Sequence, residues 1–142
     1  MSASLLICAL TVSQSALPPD GIQFEGTVTR KVSLQYLQTL PEGYDKDKSK
    51  RWPLLVFLHG AGERGSNLEV VRVNGPHREI AKGRKFPMIV LSPQCPERQW
   101  WDVDILEAWL NDVTKRLRVD SDRVYLSGLS MGGFGTWAWS CA

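Results

Sequence analysis

The stretch that most constrains the fold is Val124-Tyr125-Leu126-Ser127-Gly128-Leu129-Ser130-Met131-Gly132-Gly133. A short β-branched and aromatic run ends in Gly-x-Ser-x-Gly and continues into the apolar segment Phe134-Gly135-Thr136-Trp137-Ala138-Trp139. Strand, sharp turn and helix, in that order, form the context of a nucleophile elbow. Such a turn holds Ser130 in a strained backbone conformation and lifts its hydroxyl above the sheet edge. Gly128 and Gly132 then support the elbow, because a Cβ at either position would press on the neighbouring strand or helix. The Met131 N–H would open the helix, placed to stabilise a developing oxyanion. The plainer reading is a Gly/Ser-rich turn. The strand before it and the helix after it favour the elbow.

Upstream, residues 24–40 alternate loosely (Val28, Arg30, Val32, Leu34, Tyr36), as a half-exposed antiparallel hairpin would. Pro41-Glu42-Gly43-Tyr44 stops that pattern, and the charged residues 45–51 read as an exposed connection. Pro53-Leu54-Leu55-Val56-Phe57-Leu58 is a continuous apolar run, as expected of a central strand buried on both faces. It leads into His59-Gly60-Ala61-Gly62-Glu63-Arg64-Gly65. A short helix is expected over 77–82, then a second buried strand at Pro87-Met88-Ile89-Val90-Leu91-Ser92-Pro93. Residues 104–117 give the clearest helix, with Ile105, Leu106, Trp109, Leu110, Val113 and Leu117 on one face. Asp104 and Glu107 have capping-box spacing, with Asp in place of Ser or Thr. Asp120-Ser121-Asp122 turns the chain into a third buried strand at Val124. Alternating strands and helices of this kind predict a parallel α/β sheet.

The 142 residues suffice for one domain with one core. A net charge of +2 and scattered Lys and Arg argue against a nucleic-acid partner; the densest basic cluster, Lys46, Lys48, Lys50 and Arg51, reads as a solvated loop. Residues 1–17 read as a secretory signal peptide or as a disordered or helical tail. The run Leu5-Leu6-Ile7-Cys8-Ala9-Leu10 closes on small residues near Ser15 and Ala16, but no Lys or Arg precedes it. Export to the periplasm or the medium is the expectation on the first reading, a cytoplasmic protein on the second. The run is too short to span a bilayer. Cys95 and Cys141 fit either a disulfide or two free thiols, and no Cys or His cluster suggests a metal.

Taken together, the apolar strand with His59-Gly60-Ala61-Gly62, then Ser92-Pro93-Gln94, Trp100-Trp101-Asp102, Asp122-Arg123-Val124-Tyr125 and Gly128-Leu129-Ser130-Met131-Gly132-Gly133, resemble the N-terminal part of an α/β-hydrolase. The likeness is to the carboxylesterase, feruloyl-esterase-like and predicted-peptidase branch. It implies a three-layer α/β/α sandwich over residues 22–142, truncated after the elbow. It also implies a serine hydrolase that cleaves carboxylic esters through an acyl-enzyme, needs no cofactor, and takes a small-molecule ester or peptide-like substrate. In that branch the His-Gly loop supplies the second oxyanion-hole N–H, which here falls on Ala61. A serine peptidase and a non-catalytic binding remnant are the alternatives.

The same resemblance gives His59 a loop-supporting role in place of a base. His77 reads as an exposed loop side chain, and Glu63 as a salt-bridge partner of Arg64 or Arg98. Trp100 and Trp101 fit either a substrate-pocket wall or packing against the following helix. Asp102 and Asp104 fit helix caps. In α/β-hydrolases the acid and the histidine follow the nucleophile, and neither residue type occurs after Ser130. The expectation is therefore a fragment, inactive alone and prone to self-association.

Overall fold

A computed structural model describes residues 31–142, with Ile22 and Thr29. The signal-peptide reading of 1–17 and the first half of the hairpin expected over 24–40 lie outside the described residues. The second half is β1, Tyr36–Thr39. It is followed by β2 (Trp52–Leu58), α1 (Gly75–Ala81), β3 (Ile89–Pro93), α2 (Val103–Arg116), β4 (Val119–Gly128) and α3 (Met131–Ser140). Two 3-10 turns, Ala61–Glu63 and Leu68–Val73, sit between β2 and α1.

The strands form one sheet in the order β1-β3-β2-β4. β2 runs parallel to both β3 and β4, while β1 is antiparallel to β3. The result is a mixed α/β fold. Leu54, Val56 and Leu58 of β2 and Ile89 and Leu91 of β3 join Leu106, Trp109 and Val113 of α2 and Trp139 of α3 in one buried cluster. Period-two alternation sends Phe57 and Ser92 to the opposite side. There a Cβ on Gly75 would run into the Phe57 ring, and His77 meets Ser92 Oγ. Burying apolar side chains of this size stabilises by roughly 1.5–3 kcal/mol each.

Pro53 explains a local irregularity. It stands in a strand paired on both sides, yet carries no N–H to give a ladder. The pairing of β2 with β4 shifts register there, between Trp52↔Val119 and Leu54↔Val124. The extra β4 residues are held by Asp120, whose carboxylate accepts from Asp122 N at 3.1 Å and Arg123 Nε at 2.7 Å. What reads in sequence as a turn into a strand is a bulge inside one.

Two other expectations are corrected. β4 is not buried: it is an edge strand among the described residues, and Val124 and Tyr125 are 41% and 50% exposed. The cap of α2 is Asp102, whose Oδ1 accepts from Ile105 N at 3.1 Å; Asp104 lies inside the first turn.

Among the described residues no strand lies beyond this ten-residue edge, which is flanked by exposed Leu129, Phe134 and Trp137; an edge of that kind favours association. The 142-residue polypeptide is expected to elute in size exclusion as concentration-dependent associated species. Val124→Lys, which places a charge on the edge, should shift it towards monomer. A monodisperse wild-type monomer would refute the prediction.

Candidate active site

The site is built where β4 ends and α3 begins. Ser130 takes φ 52° and ψ −114°, a left-handed conformation that a side chain with Cβ rarely adopts. The backbone around it leaves no room for side chains. A Cβ on Gly128 would overlap the Gly132 carbonyl and stand 2.7 Å from Thr136 Oγ1. One on Gly132 would overlap the Leu58 carbonyl and stand 2.7 Å from His59 O. Leu129 N also donates to Leu58 O at 3.0 Å, so the end of β2 is clamped to the turn from two sides. Ser130 itself is exposed. Met131, buried, is the first residue of α3, and its N–H meets no acceptor among the described residues.

The loop after β2 closes on this turn. A Cβ on Gly60 would touch Ser130 Cβ at 3.7 Å, Leu129 O at 3.5 Å and Glu63 Oε2 at 3.3 Å. His59 sets the loop's orientation. Cys95 N donates to His59 Nε2 at 3.0 Å, so Nε2 is an acceptor and the ring proton sits on Nδ1. Nδ1–H then donates to Gly60 O at 2.6 Å. Because the peptide is planar and trans, fixing the Gly60 carbonyl toward the buried ring turns the Ala61 N–H the opposite way. Burial pushes the His59 pKa below the usual imidazole value. A neutral, doubly bonded imidazole is a structural element of the loop.

Glu63 departs from the sequence reading. It is buried, accepts from Asn74 Nδ2 at 2.7 Å, and its Oε2 lies 3.8 Å from His59 Nδ1; Arg64 instead donates to Ala61 O and Gln99 O. Gln94, 2% exposed, ties the loop further by donating to both Glu63 O and Asn67 O at 2.9 Å. No local pattern marks Gln94, since its partners lie about thirty residues upstream.

His77 is likewise not exposed. It is 1% accessible, with Nδ1 at 2.7 Å from Ser92 Oγ and Nε2 at 3.3 Å from Thr39 Oγ1. Both histidines of the chain are thus committed on both ring nitrogens.

The two tryptophans separate. Trp101 is half-buried: its Nε1–H donates to His59 O at 3.2 Å, its ring meets the His59 ring edge-on, and its side chain fills the space beside Gly135. Trp100 is 65% exposed. Both line a small cavity with Leu34, Cys95, Ile105 and Leu106, and Ser130 is not part of its wall. Cys95 and Cys141 are both free, the first buried and the second exposed. Among the described residues no cluster of His, Cys, Asp and Glu could hold a metal ion, and no helix is long and apolar enough to cross a membrane.

No protein-family profile matches the chain. It is similar to a probable feruloyl esterase C of Aspergillus terreus, with 29% identity over 115 residues, covering 76% of this chain and 41% of the relative. Among solved structures it is similar to a ferulic acid esterase, with TM-score 0.54 and 25% identity, over 72% of this chain and 47% of that one. The chain carries an esterase-like fold. It spans less than half the length of either protein.

Proposed function

We propose that the chain carries the nucleophile-bearing part of a serine ester hydrolase of the α/β-hydrolase superfamily, with the three-layer α/β/α architecture of that group. The observation that carries the reading is the left-handed Ser130 between β4 and α3, wedged against the end of β2 by Gly128 and Gly132. The names of the two similar proteins, both esterases, favour an ester over an amide.

Ser130 Oγ attacks the ester carbonyl carbon as a base removes its proton. The carbonyl oxygen becomes an oxyanion, held by the Met131 and Ala61 N–H groups. The C–O bond to the alcohol breaks, the alcohol leaves with the proton, and water then hydrolyses the acyl-enzyme. His59 and His77 are spent on structural bonds, so the base is neither of them. The reaction needs no metal or cofactor.

In a longer polypeptide that supplies a histidine, a fluorophosphonate probe is expected to label Ser130 and to leave Ser130→Ala unlabelled. Labelling that persists in the alanine variant would refute the assignment. The 142-residue polypeptide should show no esterase turnover above its Ser130→Ala control, because a serine hydroxyl without a positioned base is a weak nucleophile at neutral pH. On matched p-nitrophenyl ester and anilide substrates, kcat/KM is expected to favour the ester. An anilide cleaved equally well would turn the reading to a peptidase.

A further inference from the structure

The end of the sheet away from Ser130 carries a feature that the proposed hydrolysis does not use. There the chain places residues 45–51, just before β2, beside residues 114–118, the last turn of α2 and the entry to β4. Lys48, Arg51, Lys115, Arg116 and Arg118 line one cleft together with Ser49 and Thr114, and no carboxylate residue is in its wall. The Ser49 hydroxyl donates to Asp47 Oδ1 at 2.6 Å and that of Thr114 to Leu110 O at 2.8 Å. The two segments hold seven cations against two carboxylates, in a chain whose whole net charge is only +2. The positive charge is therefore gathered at this end. The cleft is distant from the reaction: β2 separates the two ends by about 20 Å at ~3.3 Å per residue.

Complementing the carbonyl end of α2 accounts for Lys115 and Arg116. It does not account for Lys48, Arg51 and Arg118, which come from another loop and from the strand entry. Two guanidinium groups are also fixed in place before any ligand arrives. Arg51 donates to Val119 O at 3.1 Å. Arg118 donates to Tyr44 O and lies 3.8 Å over the Tyr44 ring, with its Nε buried and unpartnered. The acids nearby neutralise the group only in part. Asp45 is bound to Lys48 at 2.7 Å and stands 3.9 Å from Arg118, and Asp112 holds Arg116. Fixed guanidinium forks with lysine ammonium groups beside them suit tetrahedral oxyanions. The buried Trp52 offers no face for base stacking, which disfavours single-stranded nucleic acid.

We propose that this cleft binds a multivalent oxyanion of the phosphate or sulfate class, outside the esterase site. The test is titration of the isotopically labelled 142-residue chain carrying Val124→Lys, the change expected to favour the monomer and lying outside the cleft, with inorganic pyrophosphate, followed by backbone amide shifts, with sodium chloride at matched ionic strength as control. Saturable shifts are expected at Ser49 and at 114–118, with none at Gly60–Glu63. Sulfate should produce the same pattern more weakly. The double variant Lys48→Gln/Lys115→Gln, at exposed positions, should bind pyrophosphate at least tenfold more weakly with the remaining spectrum unchanged. Arg51→Gln should weaken binding independently. Shifts reproduced by chloride, shifts scattered over surface lysines without saturation, or a double variant that binds like the wild type would each overturn the proposal. None of these readouts depends on Ser130.

Discussion

Replacing Gly132 with Ala is expected to unfold the chain, whereas the same change at Gly133 leaves it folded. A Cβ at 132 would occupy the space of the Leu58 carbonyl, with His59 O only 2.7 Å away. All of these are backbone atoms, at a point where Leu58 O also accepts from Leu129 N. They cannot yield without parting β2 from α3. The cost should exceed the ~4–5 kcal/mol that marks an exceptional substitution, against a typical domain stability of roughly 5–15 kcal/mol. At Gly133 the nearest atom to a new Cβ is 3.8 Å away. There alanine relieves the helix of a glycine and should stabilise by up to about 1 kcal/mol. Urea denaturation followed by circular dichroism compares the two variants. Similar stability for both would mean that α3 does not approach β2 as closely as described.

The second large effect is acid lability centred on His77. Its burial, aided by the Arg72 charge, depresses the imidazole from 6.5 to about 4. The folded chain then binds the proton less readily than the unfolded chain does. Stability from this site is therefore complete above pH ~6.5 and is lost progressively as pH falls towards about 4. At ~1.4 kcal/mol per pH unit the loss amounts to about 3 kcal/mol. His59, depressed in the same direction by its burial, adds to it. Replacing His77 with Gln keeps neutral hydrogen-bonding groups in place and removes the titration. Denaturation midpoints at pH 7 and pH 4 should therefore lie closer together in His77→Gln than in the wild type. An equal separation in both proteins would exclude His77 as the source.

The acid lability also shows where reading the sequence stops. The strand, sharp turn and helix around Ser130 were legible because their requirements are local: a strand, two glycines flanking a serine, and a helix, all within about fifteen residues. The buried strands and the apolar face of α2 were legible for the same reason, since period and composition express burial directly. His77 was not, because what buries it comes from Ser92 and Thr39, fifteen and thirty-eight positions away. Glu63 was misread in the same way: its partner Asn74 is eleven residues distant, whereas the arginine beside it in sequence points elsewhere. The exposure of β4 was hidden for a different reason. Val124-Tyr125-Leu126 has the composition of a covered strand, and composition does not report whether a neighbour is present. The cleft of cations was likewise divided between two charge runs that each look like ordinary solvated surface.

The contact between Trp101 and Gly135 bears on how this scaffold could be reshaped. The indole occupies the volume that a side chain at 135 would need, while its N–H holds the carbonyl of His59. Positions 101 and 135 therefore form a paired design variable. Shrinking the first alone leaves a void beside α3 and frees a carbonyl in the loop that fixes Ala61; enlarging the second alone drives the indole out. A library meant to alter the small cavity while sparing the loop should start at Trp100, whose side chain is largely in solvent, and should vary 101 and 135 only together.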